Sequence, residues 1–292
     1  MKTPQSNFQQ QYQAEIAILI KNALSEDIGA GDFSALSCLP LKEISKAQLR
    51  VKEDCVLAGV SMAAQICALY DPSLELNVLY LDGDFVPKSG VCLELKGASQ
   101  SILAVERLML NCLQRMSGIA TRTREWQSLI AHTSCKVLDT RKTTPNFRVA
   151  EKWAVAIGGG ENHRMGLYDM VMLKDNHIDF CGGVAQAISR TQSYLKANHK
   201  PLPIVVECRD LAEVQTCLSV GGLHRLLLDN MSPDTLREAV KLIGGQLPTE
   251  ASGNITKDSI VAVAETGVDY ISMGALTYNV PIIDMSLKAV SL

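Results

Sequence analysis

No run of the sequence approaches the roughly 20 consecutive apolar residues that span a bilayer. The opening MKTPQSNFQQQYQ also lacks the apolar core of a secretory signal. A soluble, cytoplasmic protein is therefore expected. An excess of basic charge is missing too: 28 Lys and Arg stand against 31 Asp and Glu, for a formal net charge of -3. That balance argues against a chain-wide nucleic-acid or anionic-membrane footprint and leaves room only for a local basic pocket. The nine cysteines are scattered singly through apolar runs, odd in number and without a C-x-x-C pair. Metal-ribbon and disulfide-framework readings fall away, and reduced, mostly buried thiols are expected.

What is present is an ordinary well-packed composition, 47% hydrophobic and 20% charged over 292 residues, enough for two modest domains or a barrel with additions. Phe8, Tyr12, Ile16, Leu19, Ile20 and Ala23 fall at helical spacing and predict a first helix ending near Gly29. Residues 47–60 read as extended chain and 61–69 as helix. Strand-like runs follow at 74–81 and 91–96, and a helix at 99–116 reads as broken by Ser117-Gly118. This first third is α+β, and a domain boundary is expected near 117, giving domains of 1–117 and 118–276. The stretch 277–292 reads as one more helical run that returns to the first domain.

Beyond 117 the rhythm changes. Strand-like runs at KVLDT (136–140), MVMLK (170–174), IVVEC (204–208), RLLLD (225–229), LPTEAS (247–252) and YISMG (270–274) alternate with helical patterns at 146–157, 184–197, 211–219, 233–243 and 256–266. Apolar strands alternating with helices imply a parallel sheet buried on both faces. Such units close most naturally into an α/β barrel, although the pattern alone leaves an open doubly wound sheet standing beside it.

Sites in α/β folds are built at the carboxyl ends of the strands. Here those ends read Asp139-Thr140-Arg141-Lys142-Thr143, Lys174-Asp175-Asn176-His177, Glu207-Cys208-Arg209, Asp229-Asn230, Glu250-Ala251-Ser252-Gly253-Asn254 and Gly274-Ala275. A lone Glu207 or Asp229 is more often a structural ion-pair partner, but polar groups at six successive strand ends describe one pocket. Its early part is cationic, with Arg141, Lys142 and Lys174 joined by His163 and Arg164, which suits an anion. Glu207 and Asp229 suit a divalent cation or ribose hydroxyls, and a Ser-Gly-Asn turn opening a helix suits a phosphate. An acidic small molecule beside a phosphorylated sugar fits the set. Cys208 reads as a packed residue rather than a nucleophile, because no histidine stands as its base. The Gly158-Gly159-Gly160 run follows a helix and precedes a strand, the reverse of a nucleotide-binding loop, so it reads as a helix end that aims His163 and Arg164.

The runs SEDIGAGDFSA, VERLMLNCLQRMSGIAT, LDTRKTTPNFR, KWAVAIGGGENHRMGLYDMVMLKDNHI, VVEC, LLLDN, EASGNI and ETGVDYISMGAL closely resemble the quinolinate phosphoribosyltransferase family, in order along nearly the whole chain. The resemblance implies an N-terminal α+β domain and an open-sided α/β barrel with fewer than eight strands. It also implies a homodimer and a Mg²⁺-dependent reaction of quinolinate with phosphoribosyl pyrophosphate, giving nicotinate mononucleotide, pyrophosphate and CO₂ for NAD biosynthesis. By the same resemblance quinolinate is held by Arg107 (from the partner copy), Arg141, Lys142, His163, Arg164 and Lys174. Glu207 and Asp229 approach the ribose and the metal, partly through water, and Ser252, Gly253, Asn254 and Gly274 hold the 5′-phosphate. Lys142, Lys174, Glu207 and Asp229 are the implied catalytic groups. The chain departs from the pattern at Tyr278, where some members carry histidine, so no phosphate contact is carried onto that turn. The nearest rival is a phosphoribosyltransferase of the same scaffold acting on nicotinate or another aromatic acid; Arg141 with His163-Arg164 favours a dicarboxylate. A non-catalytic phosphosugar-binding barrel would need neither the second cationic cluster nor the Glu207/Asp229 pair.

Overall fold

The computed structural model describes residues 4–291, in two compact units. One unit comprises the chain up to Arg124, Thr143–Gly159 and the segment from Ala275 onward; the other comprises Glu125–Lys142 and Gly160–Gly274.

The first unit begins with two helices rather than one, α1 (Pro4–Gln11) and α2 (Gln13–Ile28), because the backbone at Tyr12 leaves helical geometry. Ile16 and Ile20 form the fully buried stripe of α2. The helix stops at Gly29, which takes a φ of 52°. In α3 (Phe33–Cys38) the first turn is capped by Asp32, whose carboxylate accepts from the amides of Ser34 and Ala35. The strands β1 (Ile44–Val51), β3 (Glu75–Val78) and β5 (Val91–Ala98) form an antiparallel sheet, and β2 (Cys55–Val56) pairs with β4 (Phe85–Val86) apart from it. On β1 the inward set Ala47, Leu49 and Val51 is buried while Lys46, Gln48 and Arg50 lie on the other face. Asp82 starts α4 (Val60–Tyr70) by accepting from the amides of Gly59, Val60 and Ser61.

Two expectations fail here for physical reasons. The long helix α5 (Ser99–Leu129) does not break at Ser117-Gly118. The Ser117 hydroxyl accepts from the Ala58 amide at 2.9 Å, and a Cβ at Gly118 would lie 2.2 Å from the Pro281 carbonyl. The two small residues mark close approach of other chain segments to an unbroken helix. The C-terminal run read as helical is instead strand β12 (Met285–Val290), which pairs antiparallel with β1 and gives the sheet order β12-β1-β5-β3. Helix α6 (Arg148–Gly158) also belongs to this unit and packs Gly158 against α5: a Cβ there would meet the Ala120 carbonyl at 2.6 Å. Gly159 ends α6 in the left-handed region at φ 95°, so the glycine run does terminate the helix.

The second unit is built on six parallel strands: β6 (Lys136–Leu138), β7 (Val171–Leu173), β8 (Ile204–Cys208), β9 (Arg225–Asp229), β10 (Thr249–Ser252) and β11 (Tyr270–Ser272). Between them run α7 (Asp175–Cys181), α8 (Val184–Ala197), α9 (Leu211–Val220), α10 (Pro233–Ile243) and α11 (Ile260–Ala264). Short α7 is absent from the sequence reading. The sheet order β6-β11-β10-β9-β8-β7 is strictly sequential from β7 to β11, and the first strand then lies beside the last. A doubly wound sheet would reverse direction at a switch point; this order is that of a barrel left open between β6 and β7. On the β6 side of the opening, Glu161 forms a single parallel bridge with Leu138.

Candidate active site

Strand register explains why the polar strand ends converge. In a parallel ladder, residues level with one another point to the same face, and so do residues two apart on one strand. Leu173 is level with Val206, Glu207 with Leu227, Asp229 with Ser252, and Ser252 with Ser272. Lys174, Glu207, Asp229, Ser252 and Ser272 therefore share one face at the carboxyl end of the sheet. The contact that this register requires is present: Lys174 Nζ donates to Glu207 Oε2 at 3.2 Å, with the Glu207 side chain 11% exposed and that of Lys174 46%. His177 Nδ1 accepts from the Lys174 amide at 3.1 Å and fixes the start of α7, so this histidine orients the segment that carries the lysine.

The cationic side of the site is assembled by Asp139, which is wholly buried after β6. Its Oδ1 accepts from the His163 amide at 2.8 Å and its Oδ2 from the Asn162 side chain at 2.6 Å, pinning the segment that follows the glycines. His163 and Arg164 are both buried, at 8% and 9% exposure. The Arg164 guanidinium donates to the Met170 carbonyl at 3.1 Å. Burial first, and then the positive charge of Arg141, hold Arg164 below its ordinary value. An arginine does not lose its proton in a protein, so the two stay as like charges in proximity, offset in part by the Asp169 carboxylate. Arg141 and Lys142 are exposed, and the Lys142 amide donates to Thr140 Oγ1 at 3.0 Å. The His163 ring faces inward. Its Nδ1 accepts from the Arg164 amide at 2.7 Å, and its Nε2 lies 3.3 Å from Glu250 Oε2.

The Ser252–Asn254 loop, expected from the sequence to hold a phosphate, differs from that expectation in one respect. Ser252-Gly253-Asn254 does not open a helix, because α11 begins only at Ile260 and is five residues long. No helix N-terminus therefore faces this position, and the groups it offers are the loop's own amides. Gly253 and Asn254 both have positive φ, 96° and 51°. Asn230, also left-handed at φ 53°, ties this loop to the neighbouring strand. Its Oδ1 accepts from Asn254 Nδ2 at 3.0 Å, its Nδ2 donates to Asp229 Oδ2 at 2.7 Å, and its amide donates to the Ser252 carbonyl at 2.9 Å. A Cβ on Gly253 would stand 2.2 Å from Asn230 Oδ1. Gly274 begins a 3-10 turn just beyond β11.

Asn230, Glu250 and Asp139 stand in the strand-end segments but carry no assigned role in the sequence reading. Cys208 is fully buried with its sulfur 3.7 Å from that of Cys217, and that contact and burial push its thiol up, as befits an inert packed residue. All nine cysteines are free. Arg107 belongs to the first unit, on an exposed position of α5. No described helix is long and apolar enough to cross a membrane.

Residues 119–288 match the quinolinate phosphoribosyl transferase C-terminal domain family, and residues 32–117 match the N-terminal domain family. A rice (Oryza sativa subsp. japonica) chloroplastic nicotinate-nucleotide pyrophosphorylase [carboxylating] is 44% identical over 289 residues, covering 94% of this chain and 77% of that protein. A Nicotiana tabacum quinolinate phosphoribosyltransferase [decarboxylating] is 44% identical over 92% of this chain and 81% of its own. The structure of the nicotinate-nucleotide pyrophosphorylase from Francisella tularensis superposes with a TM-score of 0.87 at 37% identity, over 99% of this chain and 98% of that one. With both domains matched in order and close relatives covered along most of their length, the chain belongs to the quinolinate phosphoribosyltransferase family.

Proposed function

We propose that the chain transfers the phosphoribosyl group of phosphoribosyl pyrophosphate to quinolinate, with decarboxylation, giving nicotinate mononucleotide, pyrophosphate and CO₂ in NAD biosynthesis. What supports this reading is the burial of Arg164 within the influence of the Arg141 charge, in a segment whose His163 ring lies 3.3 Å from Glu250, on the strand face that carries Glu207, Asp229 and Ser252. A pyridine 2,3-dicarboxylate supplies the two negative groups that such a cationic pair calls for. Lys142, His163 and Lys174 complete that half of the site, and the exposed Arg107 is contributed by a second copy in a homodimer.

The chemistry needs positioning and charge stabilisation rather than a strong base. The pyridine nitrogen attacks the anomeric carbon while the bond to pyrophosphate breaks, with oxocarbenium character at the ribose. In this reading the carboxylates of Glu207 and Asp229 face the ribose where positive charge grows, and Lys174, paired with Glu207 and 46% exposed, turns toward the leaving oxygens. Once quaternised, the ring stabilises the electron pair left at C2 as the 2-carboxylate leaves as CO₂, and a proton from solvent then forms the C2–H bond of nicotinate mononucleotide. Among the described residues no group of three or more His, Cys, Asp or Glu gathers as a metal cage. Two carboxylates fit Mg²⁺, which keeps several waters and is held largely by substrate phosphates. Glu207 and Asp229 would hold it, directly or through water, and it would supply charge neutralisation of the pyrophosphate. The nine free thiols suit a reducing compartment such as the cytoplasm.

The test is to incubate purified protein with quinolinate, phosphoribosyl pyrophosphate and Mg²⁺ and to follow CO₂ release and nicotinate mononucleotide. Both should form together. Robust turnover of nicotinate with none of quinolinate would overturn the assignment.

A further inference from the structure

Below the substrate-facing layer lies a charged pair that the reaction itself does not use. Glu250, on β10, is fully buried and level with Leu227 and Tyr270, two residues below Ser252 on the same face. Its Oε2 accepts from Arg225 Nη1 at 2.9 Å and lies 3.3 Å from His163 Nε2. The Arg225 guanidinium stacks over Tyr270, 4.2 Å from the ring centroid. Such a pair is a poor stabilising device, since desolvation of two buried charges rivals their attraction and apolar residues of similar volume often do as well. The geometry underlines the point, because Glu250 Oε1 and Arg225 Nε are buried without a well-formed hydrogen bond, and the approach of His163 Nε2 at 3.3 Å is long for one.

The pair has a consequence above it. A backbone amide only donates, so the bond from the Arg164 amide to His163 Nδ1 at 2.7 Å requires that nitrogen to be bare. A neutral ring then carries its proton on Nε2, the atom that faces the Glu250 carboxylate. With the opposite tautomer, the ring would set a proton against the Arg164 amide and a lone pair against the carboxylate. We propose that Glu250, held by Arg225, is a positioning residue for quinolinate recognition: its carboxylate selects the tautomer and orientation of His163, and His163 fixes the backbone from which Arg164 reaches the substrate. This inference rests on the quinolinate reading for its kinetic consequence but not for its structural one.

The experiment therefore has two arms. In the first, the side-chain nitrogens of the five histidines are labelled with ¹⁵N and resolved by long-range ¹H–¹⁵N correlation, with His163 assigned through His163→Gln. The ligand-free protein should show His163 with its proton on Nε2, and Glu250→Gln should shift or broaden that signature. A proton on Nδ1 in the unaltered protein overturns the proposal without any variant. The second arm is steady-state kinetics of Glu250→Gln with each substrate varied. The KM for quinolinate should rise about tenfold, the cost of one lost charge-assisted contact, with the KM for phosphoribosyl pyrophosphate within about twofold. Equal increases for both substrates, or an unchanged quinolinate KM, overturn it. If Glu250→Gln fails to fold, Arg225→Met loosens the same carboxylate from below, and the proposal predicts a shifted His163 signature and a smaller rise confined to quinolinate. Failure of the unaltered enzyme to turn over quinolinate would instead count against the functional reading, leaving the tautomer arm to decide the positioning role.

Discussion

Gly253→Ala tests whether the Ser252–Asn254 loop, proposed to hold the 5′-phosphate, is kept in shape from the neighbouring strand. The glycine sits at φ 96°, where an L side chain costs about 1 kcal/mol or more. The added methyl would stand 2.2 Å from Asn230 Oδ1, 2.5 Å from its Cγ and 3.0 Å from its backbone nitrogen. The amide group can swing away; the backbone cannot. Swinging away breaks the bond from Asn254 Nδ2 at 3.0 Å and the bond to Asp229 Oδ2 at 2.7 Å. At about 0.5–1.5 kcal/mol net for each bond, the binding-competent loop loses about 1–3 kcal/mol, which corresponds to about 5- to 150-fold in affinity for the phosphosugar. Steady-state kinetics should place that loss on the KM for phosphoribosyl pyrophosphate, with the quinolinate KM within about threefold. Asn230→Gly separates clash from lost bonding: it tolerates φ 53° and removes both bonds without adding a methyl. In an Asn230→Gly background the alanine at 253 should add only the backbone cost of the positive φ, about 1 kcal/mol, and not the loss of the two bonds. An unchanged KM for phosphoribosyl pyrophosphate in Gly253→Ala would show that Asn230 does not tie the loop, and full additivity in the double variant would show that the methyl acts elsewhere.

Gly158→Ala places a Cβ 2.6 Å from the Ala120 carbonyl and 2.7 Å from Thr123 Cβ. Overpacking of about 1–3 kcal/mol or more should outweigh the roughly 1 kcal/mol gain in helix propensity, so urea unfolding should show a net loss and a more stable variant would refute the packing account. Arg141→Ala and Arg164→Ala each remove charged hydrogen bonds worth about 1.5–3 kcal/mol and should weaken quinolinate binding by about 10- to 150-fold. Calorimetric titration should find phosphoribosyl pyrophosphate much less affected, and equal losses would contradict the clamp roles. Burial alone would raise the Glu250 carboxyl, but His163, Ser272 and Arg225 outweigh it and carry it below the ordinary carboxylate value of 4.5. A depressed carboxylate adds stability that is present above its unfolded value and lost as pH falls through its folded one. The difference in melting temperature between the natural protein and Glu250→Gln should therefore be level from pH 8 to about 5 and change below about 4.5; a difference that stays level until both unfold in acid would refute the shift.

The second unit was legible because its strands are apolar runs bounded by polar groups, with helices at regular intervals between them. All six strand runs contain strands in the fold. The misreadings come from local signals that two structures share. Ser117-Gly118 looks like a break, yet small residues serve equally where a carbonyl presses on a helix, as Pro281 does on Gly118. Met285, Leu287 and Ala289 alternate with Ser286 and Lys288, and the buried Met285 and Leu287 follow that period of two. The alternation was available in the sequence, but the run is too short to reject a helix without the β1 partner that completes it. The Ser-Gly-Asn loop resembles a helix start because the helical pattern of 256–266 follows it, although residues 257–259 form a turn before Ile260–Ala264 begins.

In the candidate site, legibility follows strand register. Knowing where β8, β9 and β10 end fixes the residues at their carboxyl termini, and the period of two puts Glu207, Asp229 and Ser252 on one face without any coordinates. The same parity carried two residues down β10 reaches Glu250, and carried four down β9 reaches Arg225, so the buried pair was implicit in the pattern that located the site. What parity does not supply is the distance between layers, and that distance decides whether Glu250 is a stray charge or the partner of His163 at 3.3 Å. His163 and Arg164 were beyond any strand rule, since they lie in irregular chain whose course is set by Asp139 from the far side of the glycine run. Their charge and their place just before β7 marked them as cationic candidates, and only the resemblance assigned them a substrate. The division has a physical origin: groups borne on strands inherit their direction from a repeating backbone, whereas groups borne on a loop take theirs from whichever buried carboxylate happens to receive the loop's amides.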